Sequence, residues 1–189
     1  MRRYDADGKL IDQFGGPDGR FYNPRGLAID SADNLYVADT GGSRIVKYNG
    51  KGEEVGIIGT KGNGPGQLTE PTGVAVDQSG NIWVADVANS RLLRFNTSGS
   101  AELELPLPKA GSFNSPHIAV TQDGSAIVTD PESGRITIFG PDGSNRGIVQ
   151  VEGMRRPVGV SIAPDNRVLV TDVDTHQVYV LAPPPVFGR

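Results

Sequence analysis

Apolar residues along this chain come in short runs separated by turns rich in Gly, Asp and Asn, and none of the runs approaches the length of a membrane span. The clearest stretch covers residues 71–95. Val74 and Val76 alternate with small neighbours, Asp77-Gln78-Ser79-Gly80 supplies a turn, and Ile82-Trp83-Val84-Ala85 is a second run that stops at Asp86. Arg91-Leu92-Leu93-Arg94-Phe95 is a third run, and Asn96-Thr97-Ser98-Gly99 turns into a fourth over 101–105. Runs of this length between turn residues predict four antiparallel strands.

The same text is written four times, over 24–48, 71–95, 116–139 and 157–181. Each copy opens at a Pro, ends its second run in Asp and opens its third with Arg or Gln. The prolines are 47, 45 and 41 residues apart, which is blade-sized and too long for leucine-rich or tetratricopeptide units. A unit that cannot bury its own faces must stack on its neighbours. The expected fold is therefore all-β, a β-propeller of four-stranded blades. The boundaries read as the end of a preceding blade over 1–15, repeats at about 20–59, 68–107, 113–150 and 154–181, and a Pro-rich tail over 182–189.

Composition narrows the partners. Gly (26) and Pro (14) fall at repeating offsets, so they mark turns rather than low complexity. A formal charge of −4 argues against a general electrostatic grip on nucleic acid. With no cysteine there is no disulfide, thiolate metal site or thiol nucleophile, and the compartment stays open between cytoplasm and bacterial exterior. No signal peptide is read before the first strand.

Equivalent positions carry the frame. Gly26, Gly73 and Gly159 follow the Pro by two residues, where a missing Cβ permits close approach near the axis, and Ala28, Ala75, Ala119 and Ser161 share a small-residue offset. Asp39, Asp86, Asp130 and Asp172 are each followed five residues later by Arg44, Arg91, Arg135 or Gln177. Four near-identical copies read as structural clips, because an active site needs asymmetry and a clip does not. Trp83, mid-strand, reads as core rather than as a ligand platform.

The residues 71–77, 80–86 and 89–91 resemble the signature of NHL-repeat β-propellers: Pro-x-Gly-Val-Ala-Val-Asp, Gly-Asn-Ile-Trp-Val-Ala-Asp and Asn-x-Arg. Residues 62–68 resemble the family's link between blades. The third and fourth copies depart from it, with Thr121 and Ala163 in place of Asp30 and Asp77. The resemblance implies a propeller of usually six blades, which at ~43 residues each needs ~260 residues. The chain is accordingly expected to be part of a longer propeller. Residues 2–8 align with a third strand and 9–14 with a fourth. The expectation is an open or partner-completed arc, with self-association as one route to completion. The alternative is a compact ring in which 9–14 pairs beside 177–181. Pro183-Pro184-Pro185 cannot continue a ladder.

Strand order places two sets of loops on one face: the entries to each first strand, and the connections at 40–43, 87–90, 131–134 and 173–176. Residues there differ between copies, which is where a propeller would place recognition. The candidates are Arg25, Thr72, Asn89, His117, Asp174 and His176. Pro116-His117 resembles the Pro-His of the peptidyl-hydroxyglycine amidating lyases of this propeller group, whose histidines hold zinc. The corresponding positions here are Arg25, Thr72 and Val158, so His117 and His176 are weak metal candidates, and neither zinc nor calcium is expected. The favoured function is a non-catalytic recognition or scaffold module, such as a sensor appended to a bacterial protein. A lyase-like metalloenzyme or its degenerate relative is the first alternative, and an RNA-binding NHL domain the second.

Overall fold

The computed structural model describes residues 1–14, 21–109 and 115–183. Beyond one turn of 3-10 helix at Val87–Asn89, its regular structure is entirely strand. Strands β3 (Pro24–Ile29), β4 (Leu35–Asp39), β5 (Arg44–Tyr48) and β6 (Glu54–Ile58) form the first complete antiparallel sheet in chain order. Strands β7 (Pro71–Val76), β8 (Ile82–Asp86), β9 (Arg91–Phe95) and β10 (Ala101–Pro106) form the second. The third has β11 (Ile118–Val120), β12 (Ala126–Asp130), β13 (Arg135–Phe139) and β14 (Asn145–Val149). The fourth holds β15 (Pro157–Ile162), β16 (Val168–Asp172) and β17 (Gln177–Leu181).

These sheets are propeller blades. Each is a meander, and each packs on the next through its inner strands: β3 on β7, β7 on β11, β11 on β15. Between the first two blades, Tyr36, Ala38 and Ile45 face Val74, Val84 and Leu93. Trp83 and Leu92 meet Ile118 and Phe139 between the second and third, and Ile127 and Ile136 meet Val168 and Val170 between the third and fourth. Alternation along each strand therefore feeds two cores, one on either side of the blade.

The close approach near the axis is real. A Cβ on Gly26 would stand 2.6 Å from the Thr72 carbonyl oxygen, and one on Gly73 would stand 3.0 Å from that of Pro116. The third copy lacks the glycine, and its first strand is the shortest of the four, only three residues.

Strands β1 (Arg2–Tyr4) and β2 (Leu10–Gln13) pair with each other alone. Met1 and Phe14 beside them pack with Phe21 on Val37, Val46 and Tyr48, the far side of the first blade. Among the described strands none joins β2 to β17, so the compact four-blade ring closed by strand exchange is not formed.

Candidate functional site

The loop face is held by the repeated aspartates. Asp39 accepts the Tyr22 N–H at 2.6 Å through Oδ1 and Arg44 Nε at 3.0 Å through Oδ2. Asp86 accepts the N–H groups of Thr69 and Glu70 at 3.0 and 2.9 Å, Asn89 Nδ2 at 2.6 Å and Arg91 Nε at 3.4 Å. Asp130 takes Arg135 Nε at 3.0 Å. Asp172, whose partner position is Gln177, fills its oxygens with the N–H groups of Arg155, Arg156, Asp174 and Thr175. In each blade one buried carboxylate thus ties the second strand to neighbouring loop segments.

The second blade is the exception in strength. Arg91 also donates to the carbonyl oxygens of Asn63, Gly64 and Gln67 and to Glu104, fastening the glycine-rich link ahead of its own blade. Its side chain is 6% exposed, against 30% for Arg44 and 33% for Arg135.

The recognition candidates separate. Arg25 is exposed at the start of β3 and donates from Nη1 to Ser115 Oγ at 3.0 Å, linking the first blade to the entry of the third. Thr72 at the equivalent offset is 1% exposed, and its Oγ1 lacks a hydrogen-bond partner. His117 presents an exposed side chain while its backbone N–H is held by Thr129 Oγ1 at 2.9 Å. Asn89 is turned to the frame, donating to Gly62, Thr69 and Asp86. Asp174 is paired with Arg156 at 2.9 Å. Only Arg25 and His117 therefore combine exposure with a place near the axis. Ser115 and Thr129, which hold them, carry no sequence signal, because their partners lie 90 and 12 residues away.

His176 has a backbone reason to be where it is. Its φ of 55° matches Ser43 at 55°, Ser90 at 51° and Gly134 at 63°, the last residue of the same loop in every blade. The position calls for a residue that accepts a left-handed backbone. His176→Gly should therefore leave the melting temperature unchanged or raise it slightly, since relief of the left-handed backbone is offset by the entropy of glycine. A marked loss would show that the ring makes a needed contact. The offset of His117 is filled elsewhere by Arg25, Thr72 and Val158, and no group of three or more metal-binding side chains occurs among the described residues.

The NHL-repeat family model matches residues 21–48, 68–95 and 154–181, the first, second and fourth copies. Three of the four propeller blades carry NHL repeats. The unmatched third copy of this NHL array still folds as a blade, although it lacks the glycine after the Pro and has Thr121 for the turn aspartate. No curated protein matches the chain. Among solved structures it resembles a streptogramin B lyase at 18% identity, covering 98% of this chain and 62% of that one with a TM-score of 0.67. It also resembles a catalytically inactive virginiamycin B lyase from Staphylococcus aureus with quinupristin (17%, 97% and 63%, TM-score 0.69). A protein of unknown function from Bacteroides caccae is similar too (16%, 97% and 64%, TM-score 0.69). These likenesses are of fold, and the NHL chain spans a little under two thirds of each of these structures.

Acid should loosen the NHL propeller in two stages. Desolvation by the surrounding loops holds the His117 pKa below its ordinary 6.5, although the ring reaches the surface. At Asp172 desolvation is the largest influence and raises the pKa, but the N–H donors of Thr175, Arg155 and Arg156 together outweigh it and hold it below the ordinary 3.8. Asp30 and Asp123 are also lowered; desolvation again opposes the shift, and hydrogen bonds from Asn34 and from Thr121 and Ser125 prevail. In every case the folded state binds fewer protons than the unfolded one, so stability falls as pH falls. The first loss begins below pH 6.5 and belongs to His117, and the second begins below 3.8 and belongs to the aspartates. Melting scans between pH 7.5 and 5 should show a smaller drop for His117→Gln than for the native chain. Equal drops would sink the assignment.

Proposed function

We propose that this NHL propeller is a non-catalytic recognition module whose loop face receives a protein or other ligand. The observation that carries the reading is one frame with differing contents: Arg25, Thr72, His117 and Val158 share an offset that the fold repeats blade by blade. A rigid frame with variable loop positions suits recognition. Arg25 supplies a cation and His117 a neutral hydrogen-bonding ring near neutral pH, so a polar ligand with an acidic group suits them best. The apolar residues left bare at the two ends, Leu27 and Ile29 on β3 and Val178 and Val180 on β17, favour completion of the arc by a partner or by self-association.

The lyase reading has one specific support. The Staphylococcus aureus lyase is inactive in a form with a histidine replaced by alanine, and His117 is an exposed histidine held towards its neutral form on the loop face. A likeness of 17% identity carries the fold and not the chemistry. RNA binding is disfavoured by the charge of −4.

The two readings part in one experiment. Quinupristin incubated with the chain should persist at the buffer rate. Cross-linking capture should retain a partner that Arg25→Ala and His117→Ala lose, while Gln122→Ala on the opposite hairpin face keeps it. Consumption of quinupristin that disappears in His117→Ala would replace the module with an enzyme.

A further inference from the structure

The face opposite the recognition loops carries a pocket at the inner ends of three neighbouring blades. The first strands of the second, third and fourth blades end at Val76, Val120 and Ile162, half-buried side chains that pack between the blades. With Asp77, Gln78 and Asn166 they line an open pocket of about 290 Å³. All six belong to inner strands and the hairpins that follow them, away from β17 and from the terminal residues. Asp77 comes from the second blade and Asn166 from the fourth, so the third blade stands between them.

Each of these two side chains keeps a hydrogen-bonding capacity that its turn does not use. Asp30 and Asp77 hold the same turn in successive blades. Oδ1 accepts two N–H groups, from Ala32 and Asn34 or from Ser79 and Asn81, and Oδ2 accepts the amide of the Asn side chain. Asp30 Oδ2 also accepts the Tyr36 hydroxyl at 3.1 Å. The second blade has Trp83 at the equivalent strand position, so Asp77 Oδ2 keeps an open lone pair on a residue only 9% exposed. Asn166 occupies a left-handed turn position, φ 64°, where the second and third blades have Gly80 and Gly124, both at 82°. The turn needs no amide there, and Asn166 Oδ1 is buried without a hydrogen-bond partner.

Charge points the same way. The nearby Asp123 and Asp165 are paired with Arg146 and Arg167, each at 2.7 Å. The pocket lining itself holds one carboxylate, Asp77, and no cation. We propose that this pocket binds a small aliphatic diamine: one ammonium at Asp77 Oδ2, the stem laid on Val76, Val120 and Ile162, and the far N–H group at Asn166 Oδ1. A guanidinium fits the acidic end less well. Its planar fork takes both oxygens of a carboxylate, and Asp77 Oδ1 is already filled by its own turn.

The probes are the diamines from 1,3-diaminopropane to 1,6-diaminohexane, with n-butylamine as the one-ended comparison. Calorimetry should show saturable binding, with one diamine length preferred and n-butylamine weaker. The Gln78 side-chain amide signals, followed by NMR, should shift along the same isotherm. Asp77→Asn should weaken every amine about tenfold or more. It keeps the turn, because Asn49 and Asn96 hold the same turn elsewhere in the chain, each accepting two N–H groups through Oδ1. Asn166→Gly should bring the preferred diamine down to the level of n-butylamine and leave n-butylamine unchanged. Asp142→Asn, in an outer hairpin, should alter neither. No saturation at tens of millimolar amine would overturn the proposal. So would an Asp142→Asn loss as large as that of Asp77→Asn, which would mean diffuse attraction to an acidic face, or an Asn166→Gly variant that keeps the preference for the diamine.

Discussion

Asp86→Ala should lower the stability of the chain by about 3–4 kcal/mol. The carboxylate is fully buried and has four donors. Without it the N–H groups of Thr69 and Glu70 lose their acceptor at the corner between the link and the blade. Arg91 keeps Glu104 and three carbonyl oxygens, which is why the loss should fall short of that for a wholly orphaned buried charge. Asp130→Ala is the internal control. Its arginine is one-third exposed, so water and neighbours can replace much of the pair, and the expected cost is about 1 kcal/mol. Urea midpoints at a common m-value decide between them. Equal losses at the two positions would mean that the energy lies in the sheet corner and not in the Arg91 network.

That asymmetry was not legible in the sequence, and the reason is physical. The frame is local: Pro, the turn, the Asp and the Arg recur at fixed offsets, so strands, turns and the Asp-to-Arg pairing of three blades could be read from periodicity. Register pairs Asp39 with Arg44, Asp86 with Arg91 and Asp130 with Arg135, as the offset of five requires. What distinguishes the blades is long-range. Arg91 gains its carbonyl partners from residues 24 to 28 positions earlier, and Arg25 reaches a serine 90 positions on. Thr72 and Arg25 share an offset, yet one is sealed between blades and the other exposed. Position in a repeat gives direction relative to the blade; it does not give what the next blade places in front. His176 adds a backbone feature that its side chain did not announce: it shares the left-handed turn of Ser43, Ser90 and Gly134.

Trp83→Ala should cost about 3–5 kcal/mol, the other large effect expected of a single substitution here. The ring is 0% exposed and fills the layer between the second and third blades, among Ala75, Ala85 and Leu92 on one side and Ile118, Ala126, Val128 and Phe139 on the other. Most of its neighbours are small or β-branched and all sit on paired strands, so they cannot readily collapse into the space it leaves. Arg94 stands over the ring with its guanidinium carbon 5.7 Å from the centroid and would lose that contact as well. The indole Nε1 is buried without a hydrogen-bond partner, so the donor contributes nothing that phenylalanine lacks. Trp83→Phe should therefore cost no more than about 1–2 kcal/mol, the loss of part of the ring volume. Circular dichroism must follow the variants, because Trp83 is the sole tryptophan and its fluorescence disappears with it. A Trp83→Phe variant as unstable as Trp83→Ala would mean that the indole N–H is engaged in the core.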